Sequence, residues 1–228
     1  MDAVMCGRFA LDTTKVEIKT QFHVEHIPEI SSSFNIAPTQ NALILIQSPI
    51  DGVRDIEWFT WGLIPYFAKD KKMNPPLINA RAETLATKPA FRTSFKSKRG
   101  IVIMSGYFEW QQLEHYKQPY YIMLKNNKLL AVAALWDTWQ SQLGEVVHSC
   151  CLITTQANSL VERFHDRMPV VLNEEQQRIW LDTRENDTKT LEDLLVPRVS
   201  EEMIMYPVTP KMNNWRYSDA DAIKPIHL

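Results

Sequence analysis

Residues 101–136 read IVIMSGYFEWQQLEHYKQPYYIMLKNNKLLAVAALW, and their pattern gives the first indication of the fold class. The stretch alternates runs of β-branched and aromatic residues with short polar or turn-forming segments, as successive strands do. The predicted strands here and elsewhere in the chain are 42–47, 53–61, 101–105, 107–112, 119–125, 129–136, 146–155 and 168–172. Asn126-Asn127, between two of these runs, predicts a hairpin turn.

Helical patterns are fewer than strand patterns. The predicted helices begin after Thr13 or Thr14, which can act as N-caps, and after Asn173, which precedes two acidic residues. These two helices are predicted at about 14–22 and 174–181, and a further short helix is predicted at 157–164. Strands that mostly follow one another, with helices inserted around them, predict an α+β fold. We expect a single domain with a largely antiparallel, barrel-like β-sheet surrounded by short helices.

The bulk composition excludes several classes of protein. Of 228 residues, 45% are hydrophobic and 23% charged, which is typical of a folded globular chain with a proper core. No apolar run reaches the ~18 residues of a membrane helix, and the beginning of the sequence lacks a signal-peptide pattern. With three cysteines, two of them adjacent, a disulfide framework is not expected, so we predict a cytoplasmic protein without membrane contact.

Charge is unevenly distributed along the chain. The net charge is −2, yet residues 69–99 hold nine basic side chains against two acidic ones, while residues 173–228 hold seven against eleven. A basic face on an acidic body suits a groove that follows phosphates. A charge run of this kind is also typical of plain solvated surface, and composition leaves both interpretations open.

The sequence begins MDAVMCGRFA, with a second methionine, Met5, directly before Cys6. If Met5 were an initiator, its removal would leave Cys6 with a free α-amine beside its thiol, a pair of nucleophiles that no internal cysteine offers. The alternative is that Met5 is an ordinary internal residue. These ten residues alone do not choose between the two.

The segment SGYFEWQQ places Tyr107 and Glu109 on one face of a strand and Phe108 and Trp110 on the other. A carboxyl group between large aromatic side chains faces an apolar wall, which raises its pKa and suits it to general acid work. The alternative is a surface glutamate on an amphipathic strand.

Two other segments carry polar groups that suit a reactive site. In NPPLINARAET, Asn79 and Arg81 share a face if extended and could orient a substrate and hold a phosphate; a capped turn with an Arg81–Glu83 salt bridge is the alternative. In ERFHDRMPVVL, His165 follows a short helical pattern and precedes a strand, a position suited to proton transfer near pH 7. A structural hydrogen bond is the other interpretation of His165.

The cysteines and His165 are the residue types that could bind zinc. Cys6, Cys150, Cys151 and His165 lack the pair spacing of zinc ligands, and adjacent cysteines in a strand point to opposite faces. The sequence therefore predicts no metal and no cofactor, with Cys150 and Cys151 as structural residues.

Six segments in one order resemble the SOS-response-associated peptidase (SRAP) family. They are CGRFA, FNIAPTQ, WGLIP, LINARAET, GYFEW and HDRMPVVL, and the similarity runs from Cys6 to about Trp180. The resemblance implies a sensor of abasic sites in single-stranded DNA, with the replication machinery as a possible partner, acting as a monomer that associates with the nucleoid when on DNA. It implies that Cys6, after removal of Met5, forms a thiazolidine crosslink with the ring-opened sugar, a self-modifying, lyase-like activity.

The resemblance also implies roles for individual residues. Glu109 would open the sugar ring, His165 would transfer protons during Schiff-base formation, and Asn79 would orient the cysteine and sugar. The side chains expected to contact DNA are Arg8, Arg81 and Arg167 on phosphates, with Trp61, Tyr66 and Phe67 as candidate stacking residues, although a core role is the stronger expectation for Trp61. Many relatives carry tryptophan where this chain has Tyr66-Phe67.

The resemblance divides the chain into an extra segment, 1–5, and a single SRAP-like domain, 6–228. The extra segment is explained by a mis-called start codon, which we favour, by a pro-segment removed by self-cleavage, or by loss of the need for a free amine. Two rival functions remain: a cysteine peptidase using Cys6 and His165, acting on other polypeptides or on its own leader alone, and a non-catalytic single-stranded DNA-binding module.

Overall fold

Residues 6–48, 50–72 and 75–228 are described by a computed structural model, so the predicted extra segment at 1–5 lies outside the described residues. The strands are β1 (Phe9–Leu11), β2 (Ser33–Ile36), β3 (Asn41–Gln47), β4 (Arg54–Trp61), β5 (Asn79–Arg81), β6 (Arg99–Met104), β7 (Gly106–Gln112), β8 (Lys117–Leu124), β9 (Leu130–Gln140), β10 (Val146–Gln156), β11 (Arg167–Pro169) and β12 (Met203–Pro207). The α-helices are α1 (Lys15–Phe22), α2 (Arg92–Ser97), α3 (Glu174–Leu181) and α4 (Thr188–Asp193).

Five strands close into a barrel. The order β10-β4-β3-β6-β9 returns to β10, because β9 and β10 pair along most of their length. Within this ring the β10–β4 contact is parallel and the other contacts are antiparallel. The α+β prediction with a largely antiparallel, barrel-like sheet is confirmed.

The second sheet is antiparallel throughout, in the order β12-β8-β7-β1-β2. Its strand β1 pairs with β7 so that Phe9 faces Tyr107 and Ala10 faces Gly106. A Cβ on Gly106 would lie 2.4 Å from the Tyr121 ring and 2.7 Å from the Ile122 carbonyl oxygen, so only glycine lets β7 lie this close to β8. The β1–β7 pairing brings the residues just before Phe9 beside the middle of β7.

Two predicted helices are confirmed with their caps. Thr14 caps α1 and Asn173 caps α3, each in a capping box with the residue three positions later, Glu17 and Gln176 respectively. The longest described helices, α1 and α3, have eight residues, whereas crossing a bilayer takes ~20. None of the described helices can therefore span a membrane.

The predicted helix at 157–164 is wrong. The segment is a series of turns that forms a loop between β10 and β11. The Asn158 side chain accepts hydrogen bonds from the N–H groups of Leu160 and Val161, and the Ala157 N–H donates to the Asp166 carbonyl, which closes the loop. Glu162 and His165 make i→i−4 bonds to Asn158 and Val161, but these bonds are isolated and do not form the consecutive series that a helix requires.

The hairpin at Asn126-Asn127 is also wrong, although a turn is present. Asn127 has a φ of 57° and its N–H donates to the Leu124 carbonyl. However, β8 pairs with β7 and β12, whereas β9 pairs with β6 and β10. The turn therefore carries the chain from one sheet to the other.

Candidate active site

Cys6 and Glu109 meet at the end of the β1–β7 ladder. The Cys6 backbone N–H donates a hydrogen bond to Glu109 Oε1 over 2.9 Å. Cys6 is 0% exposed and Glu109 only 4%. Cys6 also adopts a φ of 40°, a left-handed conformation that few residues other than glycine adopt.

Burial controls the protonation of both side chains. It raises the pKa of Glu109 from 4.5 to about 8, against the opposing effect of the Cys6 N–H bond. Burial, and then the nearby charge of Glu109, raise the pKa of the Cys6 thiol well above its usual value. The raised pKa of Glu109 agrees with the expectation drawn from its aromatic neighbours. Near neutral pH Glu109 can therefore both give and take a proton.

His165 lies on the loop that ends at β11. Its Nδ1 is 2.7 Å from an Asp166 carboxylate oxygen and 3.2 Å from the Arg167 N–H. A protonated ring can donate from Nδ1 to Asp166, and a neutral ring can accept there from Arg167. His165 Nδ1 is thus oriented by the two residues that follow it in the chain.

The loop carrying His165 is fixed against the second sheet. The Phe164 ring packs on Tyr120 with centroids 4.7 Å apart, and Tyr120 is the β8 residue that pairs with Glu109. This contact brings His165 and Glu109 to one cleft of about 850 Å³. The cleft is lined by Gly7, Arg8, Pro38, Glu109, Trp110, Gln111, Gln112, Tyr116, Lys117, Arg163, Phe164, His165 and Asn213.

Arg8 forms one wall of this cleft. Its Nη1 donates to Asn35 Oδ1 at 3.1 Å and to the Met212 carbonyl at 3.2 Å, and its guanidinium lies 5.4 Å from the centre of the Trp110 ring. These contacts hold the cation in the cleft that Glu109 also lines. None of the three contacts is with a carboxylate. Arg8 therefore brings an oriented positive charge to the cleft.

Asn79 and Arg81 lie on β5, which pairs in parallel with β10. Asn79 is opposite Leu152, and the exposed Arg81 is opposite Thr154. Neither residue is part of the cleft lining described above. Arg8, Glu109 and His165 therefore line one cleft, and Cys6 is joined to Glu109 by a hydrogen bond, whereas Asn79 and Arg81 lie on β5 beside β10.

Arg167 is held by the protein itself. Its guanidinium forms a two-pronged pair with the Glu83 carboxylate at 2.9 and 3.1 Å, and it also donates to the Thr154 carbonyl. Only 11% of its side chain is exposed. Any phosphate that bound here would have to compete with Glu83.

The candidate stacking residues divide into a buried and an exposed group. Trp61 is 0% exposed, and its Nε1 donates to the Ile78 carbonyl inside the core, so it cannot stack on a base in this fold. Tyr66 and Phe67 are 55% and 53% exposed, with their rings 5.3 Å apart in an edge-to-face contact. The core role expected for Trp61 agrees with its position.

The basic stretch is only partly available at the surface. Arg99 is buried and donates to five backbone carbonyls, those of Phe95, Lys96, Trp180, Asp182 and Glu185. Lys98 pairs with the buried Asp137, and Lys71 with Glu145. The number of basic residues in the stretch 69–99 therefore overstates the positive charge that is available to bind phosphates at the surface.

A family model described as SOS response associated peptidase (SRAP) matches residues 5–215. The chain belongs to the SRAP family. The abasic site processing protein YoqW of Bacillus subtilis (strain 168) is 39% identical over 225 residues, covering 96% of this chain and 99% of that protein. The abasic site processing protein HMCES of Xenopus tropicalis is 31% identical, covering 86% and 67% respectively.

The SRAP fold is also shared with a solved structure. A crystal structure of a Bacteroides thetaiotaomicron protein matches with a TM-score of 0.85, covering 97% of this chain and all of that chain. At 24% identity, this likeness supports the shared fold alone.

The cleft of this SRAP protein contains residues that the sequence analysis did not select. They share an aromatic or cationic side chain on the wall of the cleft: Trp110, Tyr116, Lys117, Arg163 and Phe164. Their signal in the sequence was the alternation of aromatic and basic residues around GYFEW and ERFHDR. That signal is weak, because the two segments are more than fifty residues apart in the sequence and come together in the cleft through tertiary contacts such as that of Tyr120 with Phe164.

Cys150 and Cys151 are both fully buried on β10 and are free thiols. Burial raises the pKa of Cys151 to about 12 and that of Cys150 still further. Within residues 6–48, 50–72 and 75–228, no group of three or more His, Cys, Asp or Glu side chains is arranged to hold a metal ion.

Proposed function

We propose that this protein processes abasic sites in single-stranded DNA by covalent capture through Cys6. The relatives reported above carry the description "abasic site processing protein". The observation that carries the proposal is the 2.9 Å contact between the Cys6 nitrogen and Glu109 Oε1. If the chain began at Cys6, that nitrogen would be an α-amine hydrogen-bonded to Glu109, a carboxyl group that can exchange protons.

The proposed chemistry joins two nucleophiles to one carbon. The neutral amine of Cys6 adds to C1′ of the ring-opened deoxyribose, and loss of water gives an imine. The Cys6 sulfur then forms a bond to the imine carbon while the imine nitrogen takes the thiol proton. The product is a five-membered thiazolidine, one water is released, and no oxidant is needed.

Glu109 and His165 supply the proton transfers. Because the pKa of Glu109 is about 8, its acid form can protonate the sugar oxygen during ring opening and its base form can accept a proton from the amine. His165 lines the same cleft and can transfer a proton when water leaves. Asn79 is proposed to orient the sugar from β5.

The walls of the cleft suit a single strand of DNA. Arg8, Lys117 and Arg163 offer positive charge to phosphates, and Trp110, Tyr116 and Phe164 add aromatic surface for contact with bases. Arg81 and the exposed Tyr66 and Phe67 are proposed to extend this contact; Arg167 contributes to phosphate binding only if Glu83 releases it.

The proposal requires a free nitrogen at Cys6. While Met5 is attached, that nitrogen is an amide, which is not nucleophilic and cannot form an imine. Of the three explanations for segment 1–5, a start at Met5 followed by its removal gives the required amine directly.

The test compares two forms of the protein by intact-mass spectrometry after mixing with single-stranded DNA that carries one abasic site. One form is expressed from Met5 and begins at Cys6 after processing; the other is full length. We expect a DNA adduct on the form that begins at Cys6, none on its Cys6→Ala variant, and an unchanged yield with Cys150→Ala as the matched cysteine control. Absence of an adduct on every form would refute covalent capture, and salt-sensitive binding that survives Cys6→Ala would favour a plain DNA-binding module.

A second candidate function is self-cleavage before Cys6, favoured by the left-handed φ of 40° at that residue. The Cys6 thiol would attack the carbonyl carbon of residue 5 while its proton passes to the Glu109 carboxylate, and the departing nitrogen would then take that proton from Glu109. Water would then hydrolyse the thioester, releasing segment 1–5 and restoring the thiol. Incubated full-length protein should lose the mass of this segment, whereas Cys6→Ala and Glu109→Gln should retain it; retention by the wild type would exclude self-cleavage.

A further inference from the structure

Tyr107 has a buried hydroxyl that the fold does not use. The residue is fully buried on β7, and its hydroxyl oxygen has no hydrogen-bond partner among the described residues. Buried hydroxyls are almost always bonded, because leaving one unpaired is unfavourable. A phenylalanine would fill nearly the same volume without this penalty, so packing alone does not account for the hydroxyl.

Tyr107 faces the reactive residues. It lies two positions before Glu109, so the alternation of side chains along β7 places both on one face. Its partner across β1 is Phe9, three residues after Cys6, and Cys6 and Tyr107 belong to the same buried cluster. Phe108, between Tyr107 and Glu109, points the other way into a separate cluster with Tyr121.

Electrostatics agree with this placement. Burial raises the pKa of Tyr107 well above its usual value, and the charges of Cys6 and then Glu109 raise it further. Cys6 and Glu109 are thus titratable groups close enough for their charges to affect the pKa of the Tyr107 phenol. The phenol stays protonated and remains a hydrogen-bond donor at every pH at which the protein would act.

Tyr121 provides a contrast within the same sheet. It is also buried, but its hydroxyl donates to Ser105 Oγ over 3.0 Å. The hydroxyl of Tyr121 therefore has a structural role, whereas that of Tyr107 lacks a structural partner in the described residues. The two tyrosines form a natural pair for experiment.

We propose that Tyr107 is a positioning residue for the Cys6 sulfur, donating its phenol O–H to that sulfur as negative charge develops there during thiazolidine closure. This inference rests on the proposed function. The sulfur lies in a fully buried site that disfavours a thiolate, so a neutral donor beside it would lower the barrier to ring closure without introducing a competing charge. The imine step uses the nitrogen and would not depend on Tyr107.

The experiment separates the two steps. Protein that begins at Cys6 is mixed with abasic single-stranded DNA, with and without sodium cyanoborohydride, which traps the imine. We expect Tyr107→Phe to form the trapped adduct at the wild-type rate, but to form the untrapped, ring-closed adduct at least tenfold more slowly. We also expect the pH midpoint of ring closure to rise, because the sulfur has lost the donor that stabilises it as its proton leaves for the imine nitrogen.

Tyr121→Phe is the control, and thermal unfolding is measured for both variants. For Tyr121→Phe we expect a lower midpoint of thermal unfolding and ring closure at the wild-type rate. For Tyr107→Phe we expect an unchanged or higher midpoint of thermal unfolding. Ring closure by Tyr107→Phe at the wild-type rate and pH profile would overturn the inference while leaving covalent capture intact. A lowered unfolding midpoint for Tyr107→Phe would reveal a structural partner for the hydroxyl and would also overturn it. If the wild type formed no adduct in either condition, the proposed function itself would fail, and the inference with it.

Discussion

The backbone nitrogen of Cys6 and the carboxylate of Glu109, 103 positions apart in the sequence, lie 2.9 Å apart in the fold. This contact joins a residue just ahead of the first strand to the middle of β7, and both side chains are almost fully buried. It gives Glu109 two linked properties, a raised pKa and a direct bond to the proposed nucleophile.

Replacing Glu109 by Gln should slow adduct formation with abasic DNA. The amide keeps the shape and can accept the Cys6 N–H bond, but it cannot exchange a proton. Loss of one general acid–base group typically slows a reaction by roughly 10²- to 10⁴-fold. Time courses of adduct formation on denaturing gels measure the rate, with the exposed Glu57→Gln on β4 as control. Equal rates for Glu109→Gln and the wild type would remove Glu109 from the chemistry.

The buried Glu109 should also make stability depend on pH. Its pKa is about 8 in the folded chain and returns to about 4.5 on unfolding. Its contribution to stability is therefore fully present below about pH 4.5, and is lost as the pH rises towards 8, because the unfolded state releases the proton first. The loss is on the order of a few kcal/mol.

Glu109→Gln should remove this part of the pH dependence. Urea unfolding of the wild type, Glu109→Gln and Glu57→Gln between pH 5 and pH 8.5 measures the effect. We expect Glu109→Gln to gain stability relative to the wild type as the pH rises, and Glu57→Gln to follow the wild type. Parallel curves for all three proteins would contradict the raised pKa.

Tyr66 and Phe67 should contribute to binding single-stranded DNA. Both rings are more than half exposed, and the loop is fixed by hydrogen bonds from the Tyr66 N–H to Asp137 and from Trp139 to the Ala68 carbonyl. Stacking on an aromatic ring is worth about 1–3 kcal/mol per base, so each change to Ala should weaken binding roughly 5- to 150-fold. Fluorescence anisotropy with Cys6→Ala protein measures the affinity without crosslinking. Leu143→Ala, at a 98% exposed position, is the control; unchanged affinity in the aromatic variants would exclude this loop from the DNA path.

Arg99 should be essential for folding rather than for DNA binding. Its five bonds to carbonyls connect α2 with the end of α3, and its guanidinium packs on the Trp180 ring. Arg99→Met would leave several buried carbonyls unpaired, and we expect a loss of at least about 3 kcal/mol in the free energy of unfolding. Urea denaturation tests this, with the exposed Arg92→Met as control. If Arg99→Met matched the stability of the control but bound DNA less tightly, the structural role would be refuted.

Local features were predictable from the sequence because they depend on neighbours along the chain. The capping boxes at Thr14 and Asn173 join residues three positions apart, and the strands follow from a period of two. The helix predicted at 157–164 is wrong because the Asn158 side chain and the Asp166 carbonyl accept hydrogen bonds there, and the i→i−4 bonds of Glu162 and His165 are isolated rather than consecutive. A helical pattern of residue types cannot reveal such competing partners.

The sequence by itself determined eight of the twelve described strands, the capped helices α1 and α3, and which residue types could carry nucleophilic and acid–base chemistry. Only the tertiary structure decided which of them meet. It buried Trp61 and exposed Tyr66 and Phe67, and it placed Glu109 against Cys6. The physical reason is that burial and pKa are set by strands brought together from distant parts of the chain, here β1 beside β7, and not by the order of residues within either strand.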